Sequence, residues 1–164
     1  MKNVLTALLF FLLLSVGPLP AQSADTPPSS ALPEVGSIFL QANPSLCVDF
    51  KDFLGYAVPY TGQPSQRFKI ELGLASDKGY SFESVQYPGY FIRHQNTQIK
   101  LHPYPPHDAL FASDATFLIL PRPDNQPGFL IRAFALDLLL TLTRDTALYA
   151  LPNSKYEDAA FFIK

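Results

Sequence analysis

The chain has 164 residues, of which 48% are hydrophobic and 16% charged, and its 12 basic and 14 acidic side chains leave a net charge of −2. Without a basic run or arginine interleaved with aromatic residues, this composition excludes a nucleic-acid partner. The single cysteine excludes an internal disulfide. Because Cys47 lies between the apolar residues Leu46 and Val48, we predict a buried thiol rather than a reactive one.

The first residues have the pattern of a secretory signal peptide, which we predict over residues 1–24. Lys2 gives a positive start, residues 4–14 are apolar apart from one threonine, and Ala21 and Ser23 supply small residues for cleavage. The apolar run is shorter than the roughly 20 residues that span a bilayer, although an uncleaved N-terminal anchor is the alternative. We therefore expect a secreted or periplasmic protein with no membrane contact after cleavage.

Residues 25–36 are rich in proline, serine and alanine, and they predict an exposed linker. Residues 37–164 then have the commonest size of a single domain. Short runs of β-branched and aromatic residues recur there between prolines and glycines, which indicates an all-β sandwich or barrel. The runs are residues 37–42, 67–71, 80–85, 90–94, 98–101, 116–120, 129–134 and 159–163.

Similar segments recur along residues 37–164. Asp114-Ala115-Thr116-Phe117 and Asp158-Ala159-Ala160-Phe161 share the order acidic, small, small or hydroxyl, aromatic, and Gln66-Arg67-Phe68 repeats part of it. Three divergent units of about 45 residues, each with about four strands, predict a β-trefoil, in which no unit buries its own apolar face. Chance similarity between β segments is the alternative.

The middle unit carries a more specific series of motifs. They are Ser81-Phe82-Glu83-Ser84, Tyr87-Pro88-Gly89-Tyr90, Ile92-Arg93-His94 and Asp114-Ala115-Thr116-Phe117. In this order they resemble the repeat of the arabinofuranose-binding domain of alpha-L-arabinofuranosidase B, a family 42 carbohydrate-binding module. The resemblance implies a lectin-like β-trefoil with one shallow sugar pocket per repeat. There, a histidine and an aspartate bind the arabinofuranose side chains of arabinoxylan, and by position these residues are His94 and Asp114.

The other two units keep less of this pattern. The third has Asp158, but its arginine–histidine position falls near Leu142-Thr143. The first has Gln66 in place of the aspartate, with either Asp49-Phe50 or Phe50-Lys51 in place of arginine–histidine. The resemblance therefore implies one complete pocket, a half-built one with Asp158, and a lost one.

Sugar recognition needs polar groups aimed at hydroxyls and an apolar surface against the ring. The Asp114 carboxylate can accept from two neighbouring hydroxyls, and His94 can donate or accept. Tyr87 or Tyr90 could supply the flat face, placed by the turn between them. Structural alternatives are a turn cap for Asp114, a surface residue with satisfied hydrogen bonds for His94 and a purely structural role for Asp158.

Catalysis is not expected, although the family takes its name from a glycoside hydrolase. Hydrolysis of glycosides uses two carboxyl groups at a fixed separation, and in the family it resides in a separate domain. We predict no catalytic residue. His102, His107 and Asp108 lie on a proline-rich loop without the fuller ligand set of a zinc site, so we expect no metal and no cofactor.

The sequence thus predicts an exported, non-catalytic module for polysaccharide or oligosaccharide that carries L-arabinose as arabinofuranose. Three alternatives stay open. The trefoil could have lost sugar binding and bind or inhibit another exported protein, using the loop of residues 102–107. It could be an accessory part of an alpha-L-arabinofuranosidase system. It could also be a small hydrolase of that class.

Overall fold

The computed structural model describes residues 32–152 and 154–164. The predicted signal peptide and residues 25–31 of the predicted linker lie outside this part of the chain. Within it, no helix has both the length and the apolar character needed to cross a membrane.

Short antiparallel strands dominate the described residues, and they form three repeats with the same order of elements. The first repeat contains β2 (Ile38–Leu40), β3 (Leu46–Lys51), β4 (Leu54–Pro59), a 3₁₀ turn (Pro64–Gln66) and β5 (Phe68–Leu72). The second contains β6 (Tyr80–Ser84), β7 (Tyr90–Gln95), β8 (Gln98–Pro103), α1 (Ala109–Asp114) and β9 (Phe117–Pro121). The third contains β10 (Phe129–Ala133), β11 (Leu139–Leu142), β12 (Leu148–Leu151), α2 (Tyr156–Ala159) and β13 (Ala160–Ile163). A short strand, β1 (Val35–Gly36), precedes them.

The first and fourth strands of the repeats close a barrel. The fourth strand of each repeat pairs with the first strand of the next, so that β5 pairs with β6, β9 with β10, and β13 with β2. Closure satisfies strand edges that would otherwise be free to pair with another chain. The fold is the predicted β-trefoil.

The second and third strands of each repeat form hairpins that cover one end of the barrel. Neighbouring hairpins also pair with one another, β4 with β8 and β8 with β12, and a bridge between Tyr56 and Ala147 completes the ring. In two hairpins both residues of a two-residue turn have positive φ: 50° and 62° at Asp52 and Phe53, and 50° and 65° at Asn96 and Thr97. This is the type I′ geometry that matches the twist of paired strands.

The three repeats bury their apolar side chains in one shared core. A phenylalanine at or near the start of the fourth strand is at most 1% exposed in every repeat, at Phe68, Phe117 and Phe161. Burying each such side chain contributes about 1.5–3 kcal/mol. These phenylalanines also fix the alignment of the repeats used below.

The domain begins slightly earlier than the predicted boundary at Ser37. Leu32 packs against the core, and β1 pairs with β5, with Gly36 opposite Phe68. A Cβ on Gly36 would lie 2.8 Å from the carbonyl oxygen of Lys164, so only glycine fits this close approach of β1 to Lys164. The end of the predicted linker is therefore part of the domain.

Candidate functional site

The site predicted from the second repeat is built on β7 and α1. Asp108 precedes α1, and its Oδ1 accepts a hydrogen bond from the N–H of Phe111 at 2.9 Å, which caps this short helix. Phe111 is buried against Phe91 of β7. The helix is thereby fixed on the strand, and its last residue, Asp114, reaches the end of β7.

Asp114 meets two side chains of β7. Arg93 Nη2 donates a hydrogen bond to Asp114 Oδ2 at 2.5 Å, and the guanidinium lies 4.6 Å from the centre of the Phe111 ring. His94 Nε2 lies 3.6 Å from Asp114 Oδ1, which is too long for a direct hydrogen bond. The structure thus brings His94 and Asp114 together and adds Arg93, whose partner the sequence had not identified.

Two nitrogen atoms of this cluster have no partner. Arg93 Nε and His94 Nε2 are buried, and neither forms a hydrogen bond with any described residue. Buried polar groups are nearly always paired, so each such atom calls for an explanation. The unpaired Nε2 of His94 faces Asp114 Oδ1, the carboxylate oxygen that Arg93 does not bind.

Burial also sets the charge of the histidine. It lowers the pKa of His94 below its ordinary value, the Asp114 carboxylate opposes this, and the charge of Arg93 adds to it. His94 is therefore neutral near pH 7 and can donate or accept a hydrogen bond. The Asp114 side chain is 14% exposed against 7% for His94, so the carboxylate is the more accessible group.

A leucine that the sequence analysis did not assign to the site borders it. Leu110 is 69% exposed on α1, four residues before Asp114. Residues four apart lie on the same face of a helix, with roughly 5–6 Å between their Cβ atoms. Leu110 therefore offers an apolar surface beside the carboxylate. Its exposure, which sequence patterns do not reveal, is the signal that identifies it.

The structure does not bring the predicted Tyr87 and Tyr90 together with His94 and Asp114. Both flank the turn before β7, where Tyr90 N–H donates to the carbonyl oxygen of Tyr87 at 3.0 Å. Tyr90 and His94 are four residues apart on one extended strand, a distance of roughly 13 Å. The tyrosines therefore occupy the other end of β7 from Asp114.

Equivalent positions in the other repeats follow from the buried residue that precedes each of them. Val48, Ile92 and Leu140 occupy the same place in the core on the second strand of each repeat. The next two residues of the second repeat are the arginine and the histidine. In the first repeat they correspond to Asp49-Phe50, as one of the two predictions stated.

The alignment shifts two other predictions by one residue. Counting back from the buried phenylalanine of the fourth strand places Ser65, not Gln66, at the position of Asp114. Gln66 is instead a structural residue that accepts hydrogen bonds from the N–H groups of Thr61 and Gly62. In the third repeat, the arginine–histidine position is Thr141-Leu142 rather than Leu142-Thr143.

A polar contact recurs at the arginine position in all three repeats. Ser65 Oγ donates to Asp49 Oδ2 at 3.2 Å in the first repeat, and the hydroxyls of Thr141 and Ser154 lie 2.6 Å apart in the third. In the first and second repeats the second strand thus contacts the helical segment itself, whereas in the third its partner is Ser154, which precedes α2 and does not occupy the position of Asp114. Only the second repeat makes this polar contact with an ion pair, among the described residues.

Two open clefts lie at the corresponding places of the other repeats. One of about 460 Å³ in the first repeat is lined by Asp49, Phe50 and neighbouring residues, and one of about 650 Å³ in the third is lined by Thr141, Leu142, Asp158 and others. Neither contains His94 or Asp114. Asp158 thus faces a cleft without a histidine at the matching position.

The remaining candidates have local roles or none. Burial, with a smaller contribution from Asp49, raises the pKa of Cys47 to about 11, so the thiol is inert as predicted. In the part of the chain that the structure describes, no three histidine, cysteine or acidic side chains are grouped to hold a metal ion. His102, His107 and Asp108 accordingly form no such group, and Asp108 caps α1 instead.

Several known proteins are similar to this chain. An arabinofuranosidase in complex with arabinofuranosyl-α-1,2-xylobiose has a TM-score of 0.71 and 22% identity, over 80% of this chain and 30% of that one. For an α-L-arabinofuranosidase soaked with a cyclic sulfate inhibitor the values are 0.73 and 22%, over 84% and 32%. SeviL bound to the asialo-GM1 saccharide gives 0.64 and 8%, over 80% and 96%.

At these identities the structures show a shared fold, and the chain spans about a third of the length of the two enzymes. A search of curated protein sequences found no match. A profile of the Alpha-L-arabinofuranosidase B (ABFB) domain, in contrast, matches residues 52–161, which is more than half of the chain. From its sequence and its fold, the chain belongs to the alpha-L-arabinofuranosidase B domain family.

Proposed function

We propose that this chain is an exported, non-catalytic module that binds arabinofuranose side chains of arabinoxylan-type polysaccharide at His94 and Asp114. The observation that carries the proposal is their convergence: a carboxylate oxygen and an unpaired imidazole nitrogen lie 3.6 Å apart. Membership of the domain family supports a sugar ligand. The similar enzyme bound to arabinofuranosyl-α-1,2-xylobiose supports this choice of sugar.

Each side chain has a distinct task in the proposed complex. Arg93 holds Asp114 Oδ2 and so fixes the carboxylate, which accepts hydrogen bonds from neighbouring sugar hydroxyls through its remaining lone pairs. Neutral His94 supplies Nε2 as a further donor or acceptor. Leu110 contacts the apolar side of the ring. Such a small contact surface gives millimolar affinity, or about −4 kcal/mol.

The composition of the site supports binding rather than hydrolysis. Glycosidases place two carboxyl groups about 5–9.5 Å apart across the bond that is cleaved. Asp114 is instead surrounded by an arginine and a histidine. We therefore propose that the module assists a separate arabinofuranosidase. It would do so by keeping that enzyme, or the chain to which the module belongs, bound to the polymer.

Calorimetry with arabinoxylan and with methyl α-L-arabinofuranoside tests the proposal. Asp114→Asn keeps the shape of the side chain but removes its charge and half of its acceptors. Because hydrogen bonds to charged groups contribute about 1.5–3 kcal/mol, we expect the variant to bind roughly 10- to 100-fold more weakly. Asp158→Asn is the matched control, since Asp158 occupies the same position in the third repeat, and it should bind like the wild type.

Two outcomes would contradict the proposed sugar site. One is folded wild-type protein that binds neither ligand at millimolar concentration. The other is binding that survives Asp114→Asn but is lost in Asp158→Asn, which would place the sugar in the cleft of the third repeat. Release of arabinose from a chromogenic arabinofuranoside by the pure protein would contradict its non-catalytic part.

A further inference from the structure

Three aromatic side chains from two repeats form an exposed surface, which we call the aromatic platform: Phe53, Tyr87 and Tyr90. Their ring centres lie 6.0 Å apart for Phe53 and Tyr87, 5.8 Å for Phe53 and Tyr90, and 5.7 Å for Tyr87 and Tyr90. Phe53 is 44% and Tyr87 42% exposed, while Tyr90 is half-buried. Exposed apolar side chains on a monomer are normally scattered singly, so three aromatic rings in mutual contact at the surface call for an explanation.

Two side chains at the end of β6 form hydrogen bonds with the turn between the tyrosines. Tyr87 N–H donates to Ser84 Oγ at 3.1 Å, and Gly89 N–H donates to Glu83 Oε1 at 2.6 Å. Gly89 has a φ of 82°, which suits the third position of a turn that begins with a tyrosine and a proline. These contacts fix the backbone of the turn that carries both tyrosines.

Phe53 is held in a conformation that phenylalanine rarely adopts. It is the second residue of the β3–β4 turn, with a φ of 62°, where glycine is the preferred residue. Its carbonyl oxygen accepts a hydrogen bond from the N–H of Leu101 at 2.9 Å, which ties the turn to the second repeat. The turn geometry thus places the Phe53 ring at a fixed point beside the second repeat.

The platform is separate from the proposed arabinofuranose site. Tyr90 starts β7 and His94 lies near its end, roughly 13 Å away along the strand. The platform also lies outside the walls of the two clefts, although Asp52 and Leu54, the neighbours of Phe53, line the cleft of the first repeat.

We propose that the aromatic platform binds the pyranose backbone of the polysaccharide by stacking. A β-1,4-linked xylose ring carries its hydroxyls around the edge and presents C–H bonds on its faces, so it matches an uncharged aromatic surface. The tyrosine hydroxyls can pair with hydroxyls at the ring edge. The inference rests on the proposed function for the choice of polymer, because arabinofuranose side chains are attached to such a backbone.

The size of the platform favours a sugar over a protein. Aromatic side chains bury roughly 150–250 Å² each, so the exposed parts of Phe53 and Tyr87 offer roughly 130–215 Å². A stable protein interface buries about 800 Å² on each partner. One or two sugar rings cover the platform, whereas a second copy of the chain would need a much larger surface.

Calorimetry with linear, unsubstituted xylohexaose tests the inference, with methyl α-L-arabinofuranoside as the second ligand. Phe53→Gly removes the ring and also relieves the positive φ, so the variant should fold at least as well as the wild type. Thr97→Gly is the matched control, because Thr97 occupies the same turn position in the β7–β8 hairpin with a φ of 65°. Tyr87→Phe keeps the ring and removes the hydroxyl.

We expect Phe53→Gly to weaken xylohexaose binding about 3- to 10-fold, with Thr97→Gly unchanged. Tyr87→Phe should weaken it by less than Phe53→Gly, because the ring is kept and only the hydrogen bond of one hydroxyl is lost. Wild-type protein that does not bind xylohexaose at millimolar concentration, or a Phe53→Gly variant that binds it normally, would overturn the inference. So would a wild-type dimer that Phe53→Gly dissociates. Wild-type protein that binds xylohexaose but not methyl α-L-arabinofuranoside would refute the proposed function. It would not contradict the inference about the aromatic platform.

Discussion

Replacing Arg93 with methionine tests how Asp114 is held in place. The variant removes the ion pair to Asp114 and the charge above the Phe111 ring, while the methionine keeps apolar contact with that ring. Loss of one partner of a buried ion pair costs about 3–5 kcal/mol. Two effects reduce this cost. The Asp114 side chain is 14% exposed and can be hydrated in the variant, and the buried, unpaired Arg93 Nε is removed together with its side chain. We therefore expect the free energy of unfolding to fall by about 2–3 kcal/mol.

Urea denaturation of the wild type, Arg93→Met, Asp114→Asn and the double variant gives the coupling between the two residues. We expect a coupling energy of about 1.5–3 kcal/mol, so that the double variant is much less destabilised than the sum of the single ones. Lys155→Met is the control, since the pair of Lys155 with Glu157 is 3.8 Å long and exposed and should contribute nothing measurable. Additivity of Arg93→Met and Asp114→Asn within about 0.5 kcal/mol would refute the reasoning.

Three further predictions concern stability. The pKa of His94 is lowered in the folded protein, so the unfolded chain binds more protons below about pH 6.5 and stability falls as the pH falls. The urea midpoint of His94→Gln should therefore fall less between about pH 7 and pH 5 than that of the wild type. An equal fall in both proteins would contradict this. Phe117→Ala should cost about 3–5 kcal/mol by calorimetric or urea unfolding, because the side chain is 1% exposed in the shared core; a loss below about 1 kcal/mol would count against that core. Phe53→Gly should raise stability by about 1 kcal/mol in the same assay, because it relieves a left-handed backbone conformation. A comparable loss would show that packing of the Phe53 ring stabilises the protein by more than the backbone strain destabilises it.

The fold was predictable because its signals are local. Turn residues bound short β-branched and aromatic runs, and Phe117 and Phe161 recur in matching contexts. The first repeat was harder to align, since it has no aspartate at the position of Asp114 and the sequence favours Gln66 as the polar equivalent. The structure shows that Gln66 is buried and bonds the loop at Thr61, whereas Ser65 occupies the equivalent position. Counting back three residues from Phe68, as from Phe117, places Ser65 at this position, and the burial of both phenylalanines supports that register.

The site was predictable in part. The resemblance of the second repeat to the arabinofuranose-binding domain implied His94 and Asp114, but it gave no indication that Arg93 would bind the same carboxylate. Tyr87 is close to His94 in sequence, yet the length of an extended strand separates them. Phe53 carries no sequence signal as a neighbour of Tyr87, because their contact depends on two hairpins meeting at the end of the barrel.

Titration of isotope-labelled protein with methyl α-L-arabinofuranoside, followed by NMR, tests the central claim most directly. The account predicts millimolar binding with chemical-shift changes centred on residues 93–94 and 110–114, and their loss in Asp114→Asn. Changes centred instead on Thr141 and Asp158, or a folded wild-type protein whose spectrum does not respond, would contradict it.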